Sequence, residues 1–189
     1  MPAEAEPAAP MPAEAEPAAL VREERELLRQ ATSLGPLLDL ACGSGRNALP
    51  LARAGSTVIG LDRDRTRLDA LGAAARGLRV WLLQADLEAT GAIPLASASC
   101  AAVLVFRYLQ RALAPEIVRV LRPNGLLLYE TFTREHRQIS PHPSNPAFLL
   151  EPGELPGLFP ALVPLRAEEV RVQTPAPEAV ARLVARKPG

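Results

Sequence analysis

The sequence predicts an α/β fold whose mostly parallel, seven-stranded sheet closes on a C-terminal antiparallel hairpin. Three observations carry that expectation. Short apolar, β-branched runs alternate with helical segments through the middle of the chain, as in sheets covered on both faces. A glycine-rich turn, Cys42-Gly43-Ser44-Gly45, joins the first such run directly to a helix. Near the C-terminus two strand-like segments are separated only by the Pro-rich QTPAPE, residues 173–178. That connection has no room for a crossover helix, so the two strands pair antiparallel.

Taken in order, residues 1–20 are a near-perfect tandem repeat of Pro, Ala and Glu. Such a composition cannot bury enough apolar surface to offset ordering entropy, so 1–20 is expected as a disordered tail and 21–189 as the folded domain. From Val21 a helical pattern runs to Gly35-Pro36. Residues 36–41 (PLLDLA) read as a buried strand and 47–54 as the helix opened by the glycine turn. The β-branched run 57–61 is a second strand, and 65–75 carries Leu68 and Leu71 at helical spacing. Residues 78–83 and 101–106 follow as strands. A helix over 115–121 stops at Pro123-Asn124-Gly125, and 126–131 is the fifth strand. The hairpin is expected over 162–172 and 179–185.

Composition narrows the function. Lys plus Arg and Asp plus Glu are both 21, with no long basic run, so phosphate neutralisation on nucleic acid has no signal here. Two cysteines, Cys42 and Cys100, make neither a disulfide framework nor a metal cluster, and no metal is expected. No apolar stretch approaches a membrane span, and the acidic N-terminus lacks a signal-peptide pattern. A cytoplasmic location is the default these features leave.

Three strand ends then converge on one chemistry. Glycines in the first turn let the backbone pass close to a ligand, and the following helix offers unpaired N–H groups. Asp62 ends the second strand, 19 positions after Gly43, where a carboxylate can accept from both ribose hydroxyls of an adenosine ligand. Its competing role is a cap on the next helix. Asp86 follows the third strand, placed for an adenine amino group. Ligands of open α/β sheets sit at this carboxyl edge.

With these residues in view, the chain resembles the class I S-adenosylmethionine-dependent methyltransferases, over about 37–131 most closely. The stretch Leu38-Asp39-Leu40-Ala41-Cys42-Gly43-Ser44-Gly45 is similar to that family's first motif, and Leu121-Arg122-Pro123-Asn124-Gly125 to the turn before its fifth strand. Cys42-Gly43-Ser44-Gly45-Arg46-Asn47 looks most like the small-molecule branch that includes the tellurite-resistance type. The resemblance implies a Rossmann-like sandwich and S-adenosyl-L-methionine as cofactor. It assigns the methionine end to Asp39, ribose to Asp62 and adenine to Asp86. Ala41, Gly43, Gly45, Arg63, Leu87 and Phe106 would line the same site, with Arg46 and Asn47 near the cofactor carboxylate. The bases' amino groups are excluded as targets, because Val105-Phe106-Arg107-Tyr108 lacks the prolines that such methylases carry. A cysteine nucleophile is not supported at Cys42 or Cys100.

On the acceptor side, Tyr108, Glu130 and Arg107 are the candidate catalytic residues, Arg107 alternatively being an ion-pair partner of Glu130. The polar, Pro-rich stretch 133–148 holds both histidines, His136 and His142, and is either a substrate loop or a solvated connection. A small-molecule acceptor is expected; the sequence does not address oligomeric state. A nicotinamide-dependent oxidoreductase and a non-catalytic cofactor-binding module are the rival readings.

Overall fold

The computed structural model describes residues 16–173 and 176–189. Its seven strands are β1 (Leu37–Leu40), β2 (Val58–Asp62), β3 (Val80–Gln84), β4 (Cys100–Phe106), β5 (Leu121–Phe132), β6 (Val163–Val172) and β7 (Glu178–Arg186). They lie in the order β3-β2-β1-β4-β5-β7-β6. The first five are parallel; β7 pairs antiparallel with β5, and β6 antiparallel with β7. The expected hairpin is therefore present. The chain winds outward in both directions from β1 and β4, which opens a crevice at their carboxyl ends.

Strand pleating sorts the core into two layers. Leu38, Leu40, Ile59, Leu61, Val103 and Val105 face one side, packed with Leu113 and Ile117 of the segment around helix α6 (Ala114–Val120) and with Leu155 of α7 (Glu154–Gly157). Leu37, Val58, Leu104 and Leu128 face the other, with Leu49 of α3 (Ala48–Arg53) and Leu71 of α4 (Arg65–Ala74). Burial at roughly 25 cal/mol per Å² of apolar surface makes these layers the main stabilising term.

Four details differ from the sequence expectation. The fold starts before Val21. Ala18 and Leu20 are buried at 1% and 0% exposure, and α1 (Ala19–Glu23) leads into α2 (Arg25–Ala31). The end of the repeat carries the first branched apolar residue, Leu20, and that is where packing begins. The rest of the expected tail, 1–15, lies outside the described residues. Second, β3 is not covered on both faces: Trp81 is 61% and Leu82 42% exposed. It is an edge strand, and its connection to β4 contains only the four-residue α5 (Leu87–Thr90). Third, β5 begins at Leu121, because Leu121 already pairs with Cys100 before the register shifts. The Pro123-Asn124-Gly125 step, with Asn124 at φ +65°, is absorbed inside the strand. Fourth, β6 turns alternate residues to solvent, since no described strand flanks it on the outer edge.

Candidate functional site

β1 delivers the chain into a turn of left-handed residues: Ala41 at φ +55°, Gly43 at +55° and Gly45 at +92°. The two glycines serve different ends. A Cβ on Gly45 would lie 2.3 Å from Leu71 Cδ1, so this glycine lets α4 pack under the turn. A Cβ on Gly43 would meet nothing nearer than Arg67 Nη1 at 4.0 Å, leaving its surface open toward the cleft. Gly60, which sequence reasoning passed over, makes room in β2 for Leu71 and for Cys42 Sγ.

Asp62 is 8% exposed at the end of β2. Its Oδ2 accepts the Gly43 N–H at 2.7 Å and its Oδ1 accepts the Asp64 N–H at 2.9 Å. It does not cap α4; Asp64 does, accepting the Arg67 N–H. Asp86 has the reverse character. It is exposed and caps α5, its Oδ1 accepting from Glu88 and Ala89, with Oδ2 outside those bonds.

Asp39 is the most constrained acid. It is 2% exposed, and the Ala48 N–H bonds to its carboxyl at the start of α3. Its Oδ2 is buried with no hydrogen-bond partner. Burial, with a smaller push from Asp62, raises its pKa to about 7. Burial and the same two carboxylates also push the Cys42 thiol well above its ordinary value, which keeps it inert.

Ala41, Asp62, Arg63, Asp86, Leu87 and Phe106 line one cleft of about 200 Å³, with Arg107 and Tyr108 on its wall. Arg67 and Glu88 also line it and were not anticipated from sequence; nothing in their local pattern separates them from ordinary surface charges. Gly43 touches the site through Asp62, while Gly45 lies beneath it. Asn47 departs from expectation. It is buried, and its Oδ1 accepts the Ala18 N–H at 2.9 Å, so it anchors the N-terminal segment. Arg46 Nε donates to the Glu16 carbonyl in the same segment.

The acceptor-side candidates sort differently. Glu130 is 1% exposed, and its oxygens accept from Arg107 Nη1 and Arg182 Nε, each at 2.6 Å. Arg107, at φ +55°, also pairs with Glu178 and lies 5.0 Å over the Phe132 ring. The ion-pair alternative for Arg107 and Glu130 is the one the geometry gives, and both oxygens of the proposed base are engaged. Tyr108 remains on the cleft wall, its hydroxyl donating to Gln110 at 2.5 Å. Burial first, then Glu88 and Asp86, hold its phenol protonated. His136 is buried, stacks on Phe132 at 4.3 Å and accepts the Ala179 N–H through Nδ1. It pins the 133–148 segment to β7, and burial lowers its pKa. His142 is exposed.

This sheet order is that of the fold shared by S-adenosylmethionine-dependent methyltransferases. Residues 37–125 match the family described as a methyltransferase domain. An uncharacterised protein of Mycobacterium tuberculosis is 34% identical over 119 residues, a match covering 58% of this chain and 42% of that relative. The matched stretch thus spans less than half of that relative's length. In fold, the chain is similar to the [4+2]-cyclase SpnF, with TM-score 0.71, 20% identity and coverage of 88% of this chain and 80% of that one. It is similar to TehB from Haemophilus influenzae, with TM-score 0.66, 19% identity and coverage of 86% and 62%. It also resembles geranyl diphosphate C-methyltransferase from Streptomyces coelicolor, with TM-score 0.64, 18% identity and coverage of 88% and 77%.

The residues present fit the cofactor of that class. A buried acceptor without a donor, Asp39 Oδ2, suits the ammonium of its methionine end. Asp62 and Asp86 both line the cleft of about 200 Å³, while Asp39 lies buried outside that lining.

Proposed function

We propose that this chain transfers a methyl group from S-adenosylmethionine to a small-molecule acceptor. The observation that carries the reading is Asp39 Oδ2, buried and unpartnered beside the glycine turn. A buried carboxyl oxygen without a donor costs free energy unless a ligand supplies one. Asp39 binds the ammonium, Asp62 the ribose hydroxyls and Asp86 the adenine amino group, with Ala41, Leu87 and Phe106 as apolar walls. When bound, the cofactor supplies an electrophilic methyl on a sulfonium with a neutral leaving group.

The chain's own work is then orientation. Holding donor and acceptor in near-attack geometry supplies much of the rate for such a displacement. Tyr108, kept protonated, donates or positions rather than abstracting a proton. Arg107, fixed by Glu130 and Glu178, shapes the acceptor wall without offering a free charge. A small acceptor is supported by the balanced charge and by geranyl diphosphate as the substrate named for one fold neighbour.

A second reading has one observation in its favour. SpnF shares the fold and is described as a cyclase, so a non-methylating role on the same scaffold is a real alternative. Titration calorimetry with S-adenosylhomocysteine, alongside Asp62→Ala and a NAD control, tests the cofactor site. Micromolar binding that Asp62→Ala weakens at least tenfold, about 1.4 kcal/mol, supports it. Binding of NAD alone overturns it. Transfer of labelled methyl from S-adenosylmethionine to a small molecule of a cell extract separates methyl transfer from the cyclase-like reading.

A further inference from the structure

The outer edge of β3 is left uncovered by the described residues. β3 is the terminal strand of the sheet, and Trp81 and Leu82 project from its two faces at 61% and 42% exposure. Large apolar side chains on an unpaired edge are what soluble chains ordinarily avoid. The Arg79 carbonyl accepts from Val58, and the Ala85 N–H donates to Asp62. Odd-numbered residues of β3 therefore bond to β2. Leu82 and Gln84 turn their N–H and C=O groups away from the sheet.

We propose that the chain forms a two-fold dimer by antiparallel pairing of β3 with β3 of a second copy, centred on Leu82. In that register Leu82 meets Leu82 of the second copy, and Val80 faces Gln84. Both pairs use residues of the same outward parity: the Leu82 pair can exchange both hydrogen bonds, and the Val80 carbonyl can accept from Gln84 while the Val80 N–H stays on the Leu78 carbonyl at 3.0 Å. On the other face Trp81 falls opposite Leu83 and gains the apolar cover that the short β3–β4 connection does not provide.

Charge selects a second copy as the occupant. Arg76 and Arg79 lie at the N-terminal end of the strand, and Asp86 and Glu88 at its C-terminal end, all exposed. Antiparallel self-pairing brings the basic end of each copy against the acidic end of the other. Centred on Leu82, it sets Arg79 beside Asp86 and brings Arg76 to the end of the second copy that carries Glu88, which pairs with Arg63 within its own chain. A parallel arrangement would oppose like charges.

The test is sedimentation velocity on the full chain over a concentration series, with fluorescence of Trp81, the single tryptophan, as a second reporter. The expected result is a monomer–dimer equilibrium whose dimer shows blue-shifted Trp81 emission. Leu82→Lys weakens association at least tenfold. Arg76→Glu weakens it, and Arg76→Glu with Glu88→Arg restores it. Leu82→Cys gives a disulfide-linked dimer on mild oxidation, since paired residues lie within disulfide reach. A chain monomeric throughout the series overturns the proposal. So does a dimer that Leu82→Lys leaves unchanged, or one that Leu82→Cys does not cross-link.

Discussion

Asp62 Oδ2 accepts the Gly43 N–H at 2.7 Å, so the end of β2 holds the glycine turn after β1 in place. One carboxylate thus shapes the turn and faces the cleft. Asp62→Ala removes both contributions. We expect cofactor affinity to fall at least tenfold, and stability to fall by about 1–2 kcal/mol from the lost charged hydrogen bonds. Calorimetry and chemical denaturation read the two effects separately.

Asp39 gives a pH signature. Burial raises its folded-state pKa from 3.8 to about 7, so between those values the folded chain holds a proton that the unfolded chain has released. Stability from this group is therefore greatest at the acid side and declines as pH rises toward 7. On the role proposed for Asp39, cofactor binding should run the other way, because the carboxylate form would pair with an ammonium. Affinity for S-adenosylhomocysteine should rise from pH 5.5 to 8, with proton release at the lower end. Asp39→Asn should flatten both profiles, stabilise the free protein at pH 8 by about 1–3 kcal/mol and weaken binding.

Two glycines separate packing from backbone strain. Gly45 and Gly55 have nearly equal φ, +92° and +94°, but a Cβ on Gly45 would strike Leu71 while one on Gly55 meets nothing within 4 Å. Gly55→Ala should cost about 1–2 kcal/mol from the left-handed backbone alone. Gly45→Ala should cost about 2–5 kcal/mol, because overpacking adds to it. Thermal melts of the two variants measure the difference.

The Arg107–Glu130–Arg182 chain runs from the end of β4 through Glu130 near the end of β5 to the middle of β7, with Glu130 and Arg182 buried and Arg107 partly exposed. Arg182→Ala leaves Glu130 with one partner and should cost about 3–5 kcal/mol. Glu130→Met combined with Arg182→Met should cost less than the sum of the single changes, since neither charge is then stranded. Raising salt should change the wild-type melt little, as buried pairs are weakly screened. Denaturation of the three variants in low and high salt checks this.

The sequence by itself determined the strand count and order of types, the terminal hairpin and the placement of the glycine turn, Asp62 and Asp86 at one edge. These are local properties: apolar runs, turn chemistry and residues that end strands. What tertiary structure decided is which functional groups are already engaged. Arg107 and Glu130 meet because β4 and β5 are neighbours, and β7 adds Arg182 to Glu130 and Glu178 to Arg107, 52 and 71 positions away in the chain. Asn47 is taken by Ala18, 29 positions away, and the edge position of β3 leaves Trp81 uncovered. Periodicity reports which face of an element is apolar. It carries no information about the partner that a polar group finds across the fold, because that partner is set by strand order.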